Sequence, residues 1–135
     1  SYQKIPVSIW YDWKNDGTDP NEREHNFGTV KHDLNPKAAY LAAKVLSSTL
    51  AGYSITERFD LGNENDFAFR LTNGKLEAVA FWTLGSKHKV ILPIDPTEVT
   101  LVGIHGGKVI INWKTEYLNL SAEQSPQYLL IKPKD

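Results

Sequence analysis

The 135-residue sequence contains no cysteine. Disulfide bonds, thiolate catalysis and zinc sites with cysteine ligands are therefore excluded. There is also no excess charge of either sign, because 15 basic side chains nearly balance 16 acidic ones and leave a net charge of −1. This balance gives no electrostatic attraction for nucleic acid or an anionic membrane, so neither is expected as a partner. The sequence shows no signal peptide and no apolar run of membrane-spanning length.

What the chain does have is apolar and aromatic content. Hydrophobic residues make up 41% of it, and four tryptophans, six tyrosines and five phenylalanines are among them. This composition is typical of a folded globular domain and not of a disordered segment. A chain of this length can bury one sizeable hydrophobic core.

One α-helix is predicted over residues 36–51. Asn35 has the side chain of a helix N-cap, Pro36 suits the first helical position, and Gly52 supplies a left-handed C-terminal stop. The apolar stripe at helical spacing is broad, which predicts packing on two sides of the helix. Its members are Ala39, Leu41, Ala42, Ala43, Val45, Leu46 and Leu50.

From residue 53 onward the hydrophobic period changes from helical to two. Strands are predicted over residues 54–61, 66–72, 76–84, 88–92, 98–104, 108–113, 116–120 and 127–131. Asn73-Gly74 predicts a hairpin with a type I′ turn, and Gly85-Ser86 and Gly106-Gly107 predict two further turns. Many short strands with regular turns are typical of an antiparallel sandwich.

The third of these strands is apolar on both faces. Ala78, Ala80 and Trp82 point one way, and Val79 and Phe81 point the other. Such a strand lies at the centre of a sheet that is covered on both sides. The predicted fold is therefore mainly β: an antiparallel β-sandwich of about eight strands with one α-helix and an N-terminal strand–loop segment.

The N-terminal segment begins as a strand and opens into a polar loop. Residues 6–11 are rich in β-branched and aromatic side chains, which favours a strand. Asn15-Asp16-Gly17 and Asp19-Pro20 are turn formers. Trp10 and Trp13 thus stand where a strand opens into a loop, and a helix follows. Strand, loop and helix form the repeating unit of a (β/α)8 barrel, whose active site is built from such loops.

Four short motifs in residues 8–53 carry a family resemblance. They are Tyr11-Asp12-Trp13, Asn15-Asp16-Gly17, Glu24-His25-Asn26-Phe27-Gly28 and Pro36-Lys37-Ala38-Ala39-Tyr40. Together they resemble the closing βα unit of bacterial retaining glycoside hydrolases of the (β/α)8 clan, of the cellulase-like and family-39-like kind. The last motif departs from the family's Lys-Pro-Ala-Tyr in residue order. In such enzymes a small C-terminal β-domain follows, with a strand that here reads Pro126-Gln127-Tyr128-Leu129.

The resemblance implies that residues 1–52 are a barrel-derived strand, loop and helix, and that residues 53–135 form a β-sandwich module. It also implies a larger parent enzyme, because a complete barrel needs about 250 residues. The two catalytic glutamates of that clan stand on the fourth and seventh barrel strands, and no acidic residue here matches either motif. No catalytic residue is assigned, and the chain alone is not expected to hydrolyse glycosides, since hydrolysis requires a pair of carboxyl groups.

Aromatic side chains are the candidates for carbohydrate binding, because indole and phenol rings stack on the C–H faces of sugars. In the resembled enzymes an aromatic residue at the end of the eighth strand stacks on the sugar, which points to Trp10 or Trp13. Trp82, Trp113 and Tyr117 are candidates for a platform on the β-domain. The alternative for the tryptophans is a place in the core, and it is strongest for Trp82, which lies in an apolar alternation.

No metal or cofactor is predicted. The acidic loop from Asp12 to Glu24 contains oxygen ligands of the kind that Ca²⁺ uses. However, Lys14 and Arg23 occupy ligand positions of the EF-hand pattern counted from Asp12, so a solvated loop is preferred. The four histidines lack metal-ligand spacing. His25 is expected to anchor the loop through hydrogen bonds.

Two functions stay open, with a third that is weaker. The first is a non-catalytic, carbohydrate-binding β-sandwich module of a polysaccharide-degrading enzyme, and the second is a structural accessory domain that braces the barrel and binds no sugar. The third is complementation of a separate barrel chain. Expected partners are a β-glucan-like polysaccharide and the parent barrel, and the resemblance implies a secreted bacterial protein. Residues 5–13, without barrel neighbours, should join an edge of the sandwich or pair with a second copy in a homodimer.

Overall fold

The computed structural model describes residues 5–95, 97–112 and 118–133. This part of the chain folds mainly into antiparallel β-structure, which confirms the predicted fold class. Its α-helix, α1, is Ala38–Thr49. Its strands are β1 (Ser54–Phe59), β2 (Asp66–Thr72), β3 (Glu77–Thr83), β4 (His88–Ile91), β5 (Glu98–Val102), β6 (Lys108–Asn112), β7 (Asn119–Ala122) and β8 (Gln127–Ile131). No helix in these residues has both the length and the apolar character to cross a bilayer.

The strands form two sheets that pack against each other. The larger has six antiparallel strands in the order β1-β2-β3-β8-β5-β6, and the smaller is the antiparallel pair β4–β7. Within the larger sheet β3 pairs with β2 on one side and with β8 on the other. The prediction that the third strand is central is thereby confirmed.

Two apolar clusters lie on opposite faces of the six-stranded sheet. Core cluster 1 lies between the two sheets and contains Phe59, Ala68, Val79, Phe81, Val90, Leu92, Val99, Leu118, Leu120, Ala122 and Leu129. Core cluster 2 lies on the face toward α1 and contains Leu71, Ala78, Ala80, Val102 and Tyr128. β3 supplies side chains to both clusters, so it is covered on both faces as its alternation predicts.

The helix begins two residues later than predicted. Pro36 forms an isolated antiparallel bridge with Val30, so the backbone at this point belongs to the preceding loop. Lys37 is therefore the N-cap residue in place of Asn35, and its side chain makes no capping hydrogen bond. The predicted stop is confirmed, because Gly52 has a φ of +76° just beyond the last turn.

The β2–β3 hairpin forms where the sequence predicts it, but its turn is shifted by one residue. Asn73 donates its backbone N–H to the Leu76 carbonyl oxygen over 3.2 Å. The Asn73 Oδ1 atom accepts from the N–H groups of Lys75 and Leu76. Gly74 and Lys75 therefore form the centre of the turn, and the predicted type I′ turn at Asn73-Gly74 is wrong because the asparagine side chain takes part in closing it.

Residues 6–13 belong to neither sheet. The prediction that this segment joins an edge of the sandwich is therefore wrong. Backbone pairing begins at Asp12, whose N–H donates to the Phe27 carbonyl oxygen over 3.4 Å and whose carbonyl oxygen accepts from the Thr29 N–H over 3.1 Å, and it continues in a parallel bridge between Lys14 and Val30. The physical reason is that the end of this segment pairs with the loop at residues 27–30 and not with a described strand of either sheet. Pairing with a second copy stays a prediction.

Candidate functional site

The N-terminal segment exposes a row of large apolar side chains. Between 58% and 88% of the side-chain surface is accessible at Ile5, Val7, Ile9, Trp10, Tyr11 and Trp13. Single exposed apolar residues are ordinary on protein surfaces, whereas a contiguous set marks an interaction site. Both predicted sugar-stacking tryptophans of this segment thus lie at the surface, with 69% of Trp10 and 61% of Trp13 exposed.

Each aromatic residue of this segment has at least one contact that fixes its position. Trp13 lies edge-on to Tyr40 of α1, with 5.5 Å between ring centroids and 73° between planes. Trp10 donates its indole N–H to the Phe27 carbonyl oxygen over 3.4 Å. Tyr11 precedes a cis peptide bond and lies edge-on to the Phe27 ring at 6.1 Å. Both indoles keep most of their surface open, as stacking on a sugar requires.

A buried polar node fixes the loop that follows. Asn15 is only 6% exposed, and its side-chain oxygen accepts from the Lys37 ammonium group over 2.7 Å. Lys37 also donates to the Asn26 carbonyl oxygen over 2.9 Å, and the Asn15 amide donates to Asn26 Oδ1 over 3.3 Å. His32 Nδ1 lies 3.2 Å from the Asn15 carbonyl oxygen. Because buried polar groups need partners, this node ties the loop to the start of α1.

Two glycines let the loop close around this node. A Cβ atom on Gly28 would lie 2.2 Å from the backbone nitrogen of Asn15, and one on Gly17 would lie 2.4 Å from His25 Nδ1. Any side chain at either position would force the loop apart. His25 Nδ1 is buried and has no hydrogen-bond partner in the described residues. The expectation of anchoring through hydrogen bonds is wrong at that atom, and the ring instead packs against Gly17.

The acidic side chains of the loop serve its own local structure. Asp19 Oδ1 accepts from the Asn21 N–H over 2.9 Å. Tyr11 donates its hydroxyl to Asp16 over 3.3 Å, and the nearby Asp16 carboxylate is the main cause of a raised pKa of Tyr11. Across residues 5–95, 97–112 and 118–133, no three histidine or acidic side chains converge as a metal site would require.

Trp82 stands in an aromatic stack on the sheet face that carries α1. Its ring is parallel to that of Phe67, with 5.2 Å between centroids and 5° between planes, and it stacks on Phe69 at 5.6 Å. The Arg58 guanidinium lies 4.8 Å from the centroid of Phe67. Trp82 is partly buried, and Phe67 occupies one face of its indole. The other two platform candidates, Trp113 and Tyr117, lie outside the described residues.

Helix α1 divides its apolar residues between two sides. Val45 and Leu50 pack against core cluster 2. Leu46 is 47% exposed, and Ala39 and Ala43 are exposed as well. Positions three or four residues apart share a side of a helix, so these three form one uncovered apolar stripe. Only one of the two predicted contacts of the helix is made within the described chain.

Solved structures that resemble this chain include three glycoside hydrolases. A family 39 glycoside hydrolase from the gut symbiont Bacteroides cellulosilyticus WH2 is 31% identical with a TM-score of 0.77; the match covers 91% of this chain and 26% of that one. A GH30 endoxylanase from Clostridium papyrosolvens C71 is 9% identical with a TM-score of 0.60, over 77% of this chain and 30% of that one. An Anoxybacillus alpha-amylase is 14% identical with a TM-score of 0.54, over 73% of this chain and 22% of that one.

The three similar structures support different conclusions, because their sequence identities to this chain differ. The endoxylanase and the amylase, at low identity, show a shared fold alone. The family 39 enzyme supports, in its coarse form, the resemblance that the N-terminal motifs indicate: a domain derived from a glycoside hydrolase. The chain spans about a quarter of that enzyme's length. No protein-family model and no curated protein matches the chain.

Sequence reasoning did not find the polar node. Asn15 reads as a turn former, and its partners Asn26 and Lys37 lie 11 and 22 residues away along the chain. No local pattern joins residues at such separations. The aromatic stack has a more local origin, because Phe67 and Phe69 alternate along β2 and the β2–β3 hairpin places Trp82 opposite Phe67.

Proposed function

We propose that this chain is a non-catalytic, C-terminal part of a glycoside hydrolase, in which residues 1–52 complete a (β/α)8 barrel and residues 53–135 form a sandwich that braces it. The observation that supports this role is the exposed apolar surface of residues 7–13 and of α1. A sandwich that worked alone as a sugar-binding module would gain nothing from the aliphatic stripe of Ala39, Ala43 and Leu46, because stacking on sugars uses aromatic rings.

The helix favours bracing because its two apolar sides face different bodies. Val45 and Leu50 already contact the sandwich. The stripe of Ala39, Ala43 and Leu46 is the small, smooth surface on which another helix or a strand packs closely. Burying a leucine side chain stabilises a contact by about 1.5–3 kcal/mol, so even a short stripe contributes measurably to docking.

The N-terminal segment favours the same role. Residues 6–11 lie outside both sheets, and a segment whose backbone groups are not part of a sheet is open to pairing with another strand. In a barrel, such a strand has a neighbour on each side, and the βα loop that follows lies on the active-site face. The polar node at Asn15 then holds this loop in place, which is a positioning role and not a chemical one.

A test compares the chain alone with the longer polypeptide in which it follows the proposed barrel. Hydrogen–deuterium exchange should slow at least tenfold over residues 5–13 and 39–46 in the longer protein and stay unchanged over β4 and β7. Leu46→Asp should lower the melting temperature of the longer protein and not that of the chain alone. Lys44→Asp is the matched control, because Lys44 is exposed and is neither three nor four residues from any member of the stripe. Equal exchange in both proteins would refute the bracing role.

A second candidate function is direct contact with a polysaccharide, because the open surfaces of Trp10 and Trp13 suit stacking on sugar rings. Trp113 and Tyr117 belong to this proposal as further platform residues, and secretion of the enzyme follows from it because polysaccharides are met outside the cell. Affinity electrophoresis in gels containing cellulose derivatives, xyloglucan, mannan or xylan tests it. Retardation that Trp13→Ala abolishes supports sugar contact, and unchanged migration in all four gels refutes it for the chain alone.

A further inference from the structure

We propose that a corner of the six-stranded sheet formed by Arg58, Phe67, Trp82 and Leu84, here called the aromatic corner, is a second docking contact between the sandwich and the catalytic barrel. This inference rests on the proposed bracing function and adds a contact separate from α1 and from residues 5–13. It also assigns Trp82 to a protein interface and not to a sugar platform.

Strand register brings these side chains together. Phe67 on β2 is the direct cross-strand partner of Trp82 on β3. Leu84 is the first residue after β3, and it is 63% exposed. Its backbone N–H donates to the Asn65 carbonyl oxygen over 2.8 Å, which fixes it to the residue that precedes β2. The apolar row of Ala80 and Trp82 on β3 therefore runs from core cluster 2 to the end of the strand, where the exposed Leu84 follows.

Helix α1 covers only one end of this face. Its contacts through Val45 and Leu50 reach core cluster 2, and Phe69 packs at the edge of that cluster. An antiparallel sheet face that stays in solvent carries polar side chains at its outward positions. At the aromatic corner those positions are phenylalanine, tryptophan and leucine, which is the composition of a face that something covers.

The chemistry of the corner fits a protein partner. Arg58 is exposed, lies over Phe67, and has no ion pair with any residue of 5–95, 97–112 or 118–133. Tryptophan and arginine are enriched at the energetically dominant centres of protein interfaces. A partner with an apolar ridge and one carboxylate would satisfy both the rings and the guanidinium.

A sugar fits the corner less well. The Phe67 ring lies parallel to the Trp82 indole with 5° between planes, so it occupies a face that a sugar ring would need. The barrel is the occupant that the molecule favours, for two reasons. The corner continues the surface on which α1 lies, and about three quarters of the similar family 39 enzyme lies outside the matched region, since the match covers 26% of it.

The experiment uses the longer polypeptide with its barrel and, beside it, the 135-residue chain alone. Hydroxyl-radical oxidation of Trp82 and Leu84 should be at least fivefold slower in the longer protein. Leu84→Asp and Arg58→Glu should each split its calorimetric melting into two transitions and leave the melting of the chain alone unchanged. Ile91→Asp is the control, because Ile91 is 51% exposed on the opposite sheet.

Equal oxidation of Trp82 and Leu84 in both proteins, with single transitions in both variants, would overturn the aromatic corner as a contact. The bracing function would survive that result if Leu46→Asp still destabilised the longer protein. Protection that appears in the chain alone as its concentration rises would also overturn the inference, because a second copy would then be the occupant. Retardation of the chain in a polysaccharide gel that Leu84→Asp abolishes would overturn it in favour of a sugar.

Discussion

Strand β3 and the N-terminal segment have similarly apolar sequences and opposite environments. Val79 and Phe81 of β3 are fully buried, whereas Ile9 is 88% exposed and Trp10 is 69% exposed. β3 has a paired strand on each side and a packed layer on each face. Residues 6–13 belong to neither sheet in the described chain, and their backbone pairs with the loop at residues 27–30 only through Asp12 and Trp13. Apolar content therefore indicates that a segment is buried against some other surface. Whether that surface belongs to this chain depends on the rest of the fold.

The difference in burial between the two regions is tested most strongly by removing one large side chain from each. Phe81→Ala should lower the free energy of unfolding by about 3–5 kcal/mol, because it leaves a cavity in core cluster 1. Trp10→Ala should change the unfolding free energy of the chain alone by no more than about 0.5 kcal/mol, as surface changes do. Urea denaturation measures both. Similar losses in the two variants would mean that the N-terminal segment is packed in solution.

An intermediate effect is expected at the polar node that joins the two regions. Lys37→Met leaves the buried Asn15 oxygen without its donor and should cost about 1–3 kcal/mol. Lys44→Met, on an exposed position of the same helix, is the matched control. Hydrogen exchange should speed up over residues 12–30 in the Lys37 variant and stay unchanged in β3. Unchanged exchange in the loop would contradict the role of the node.

A smaller effect is expected from pH at the joint between the two sheets. His88 Nε2 lies 2.9 Å from Asp66 Oδ2, and its Nδ1 lies 2.9 Å from the Ser86 carbonyl oxygen. Both acceptors favour the imidazolium ion, so the pKa of His88 is raised above its ordinary 6.5, first by Ser86 and then by Asp66. A raised pKa gives stabilisation that is complete below the unfolded-state value and is lost as pH rises through the folded-state value.

Thermal melting between about pH 5 and pH 9 tests this linkage between the protonation of His88 and stability. The melting temperature should fall as the pH rises through the raised pKa of His88, and His88→Gln should flatten that part of the curve. His105→Gln, at an exposed position, should leave the curve unchanged. A fall in stability toward low pH over the same range would show that His88 is bound neutral.

The smallest effect is expected from deleting residues 1–9. In the chain alone this should change the unfolding free energy by less than about 1 kcal/mol, because residues 5–9 are exposed and the hydrogen bond of Trp10 and the edge contact of Trp13 remain. In the longer polypeptide the same deletion should prevent barrel closure. Calorimetry on both proteins measures the contrast, and a large loss in the chain alone would show that this segment already has a partner there.

The sandwich could be predicted from the sequence because its signals are local. The alternation in residues 66–72 and 77–83 predicts the strand faces, and the Asn73-Gly74 pair between them predicts a hairpin, although the turn itself is centred one residue later. Gly52 marked the helix end for the same reason. The start of α1 was misplaced because Pro36 is held by Val30, a residue in the preceding loop.

Less of the candidate site could be predicted from the sequence. Trp10 and Trp13 were identified through the resemblance to enzymes with a sugar-stacking aromatic residue at the end of the eighth barrel strand, and the structure places both at the surface. Their burial could not be decided beforehand, since it depends on neighbours that the described chain does not contain. Asn15 was missed because only the folded loop brings Lys37 to it.

The double burial of β3 also limits how this protein can evolve. On a strand with one buried face, every second position tolerates change, so substitutions accumulate with a period of two. Along residues 78–81 of β3 each side chain is buried, in one cluster or in the other. A mutational scan should show no alternation in tolerance there, and divergence between related sequences should be slowest. Substitutions in residues 6–13 should instead be correlated with substitutions in the surface that covers them.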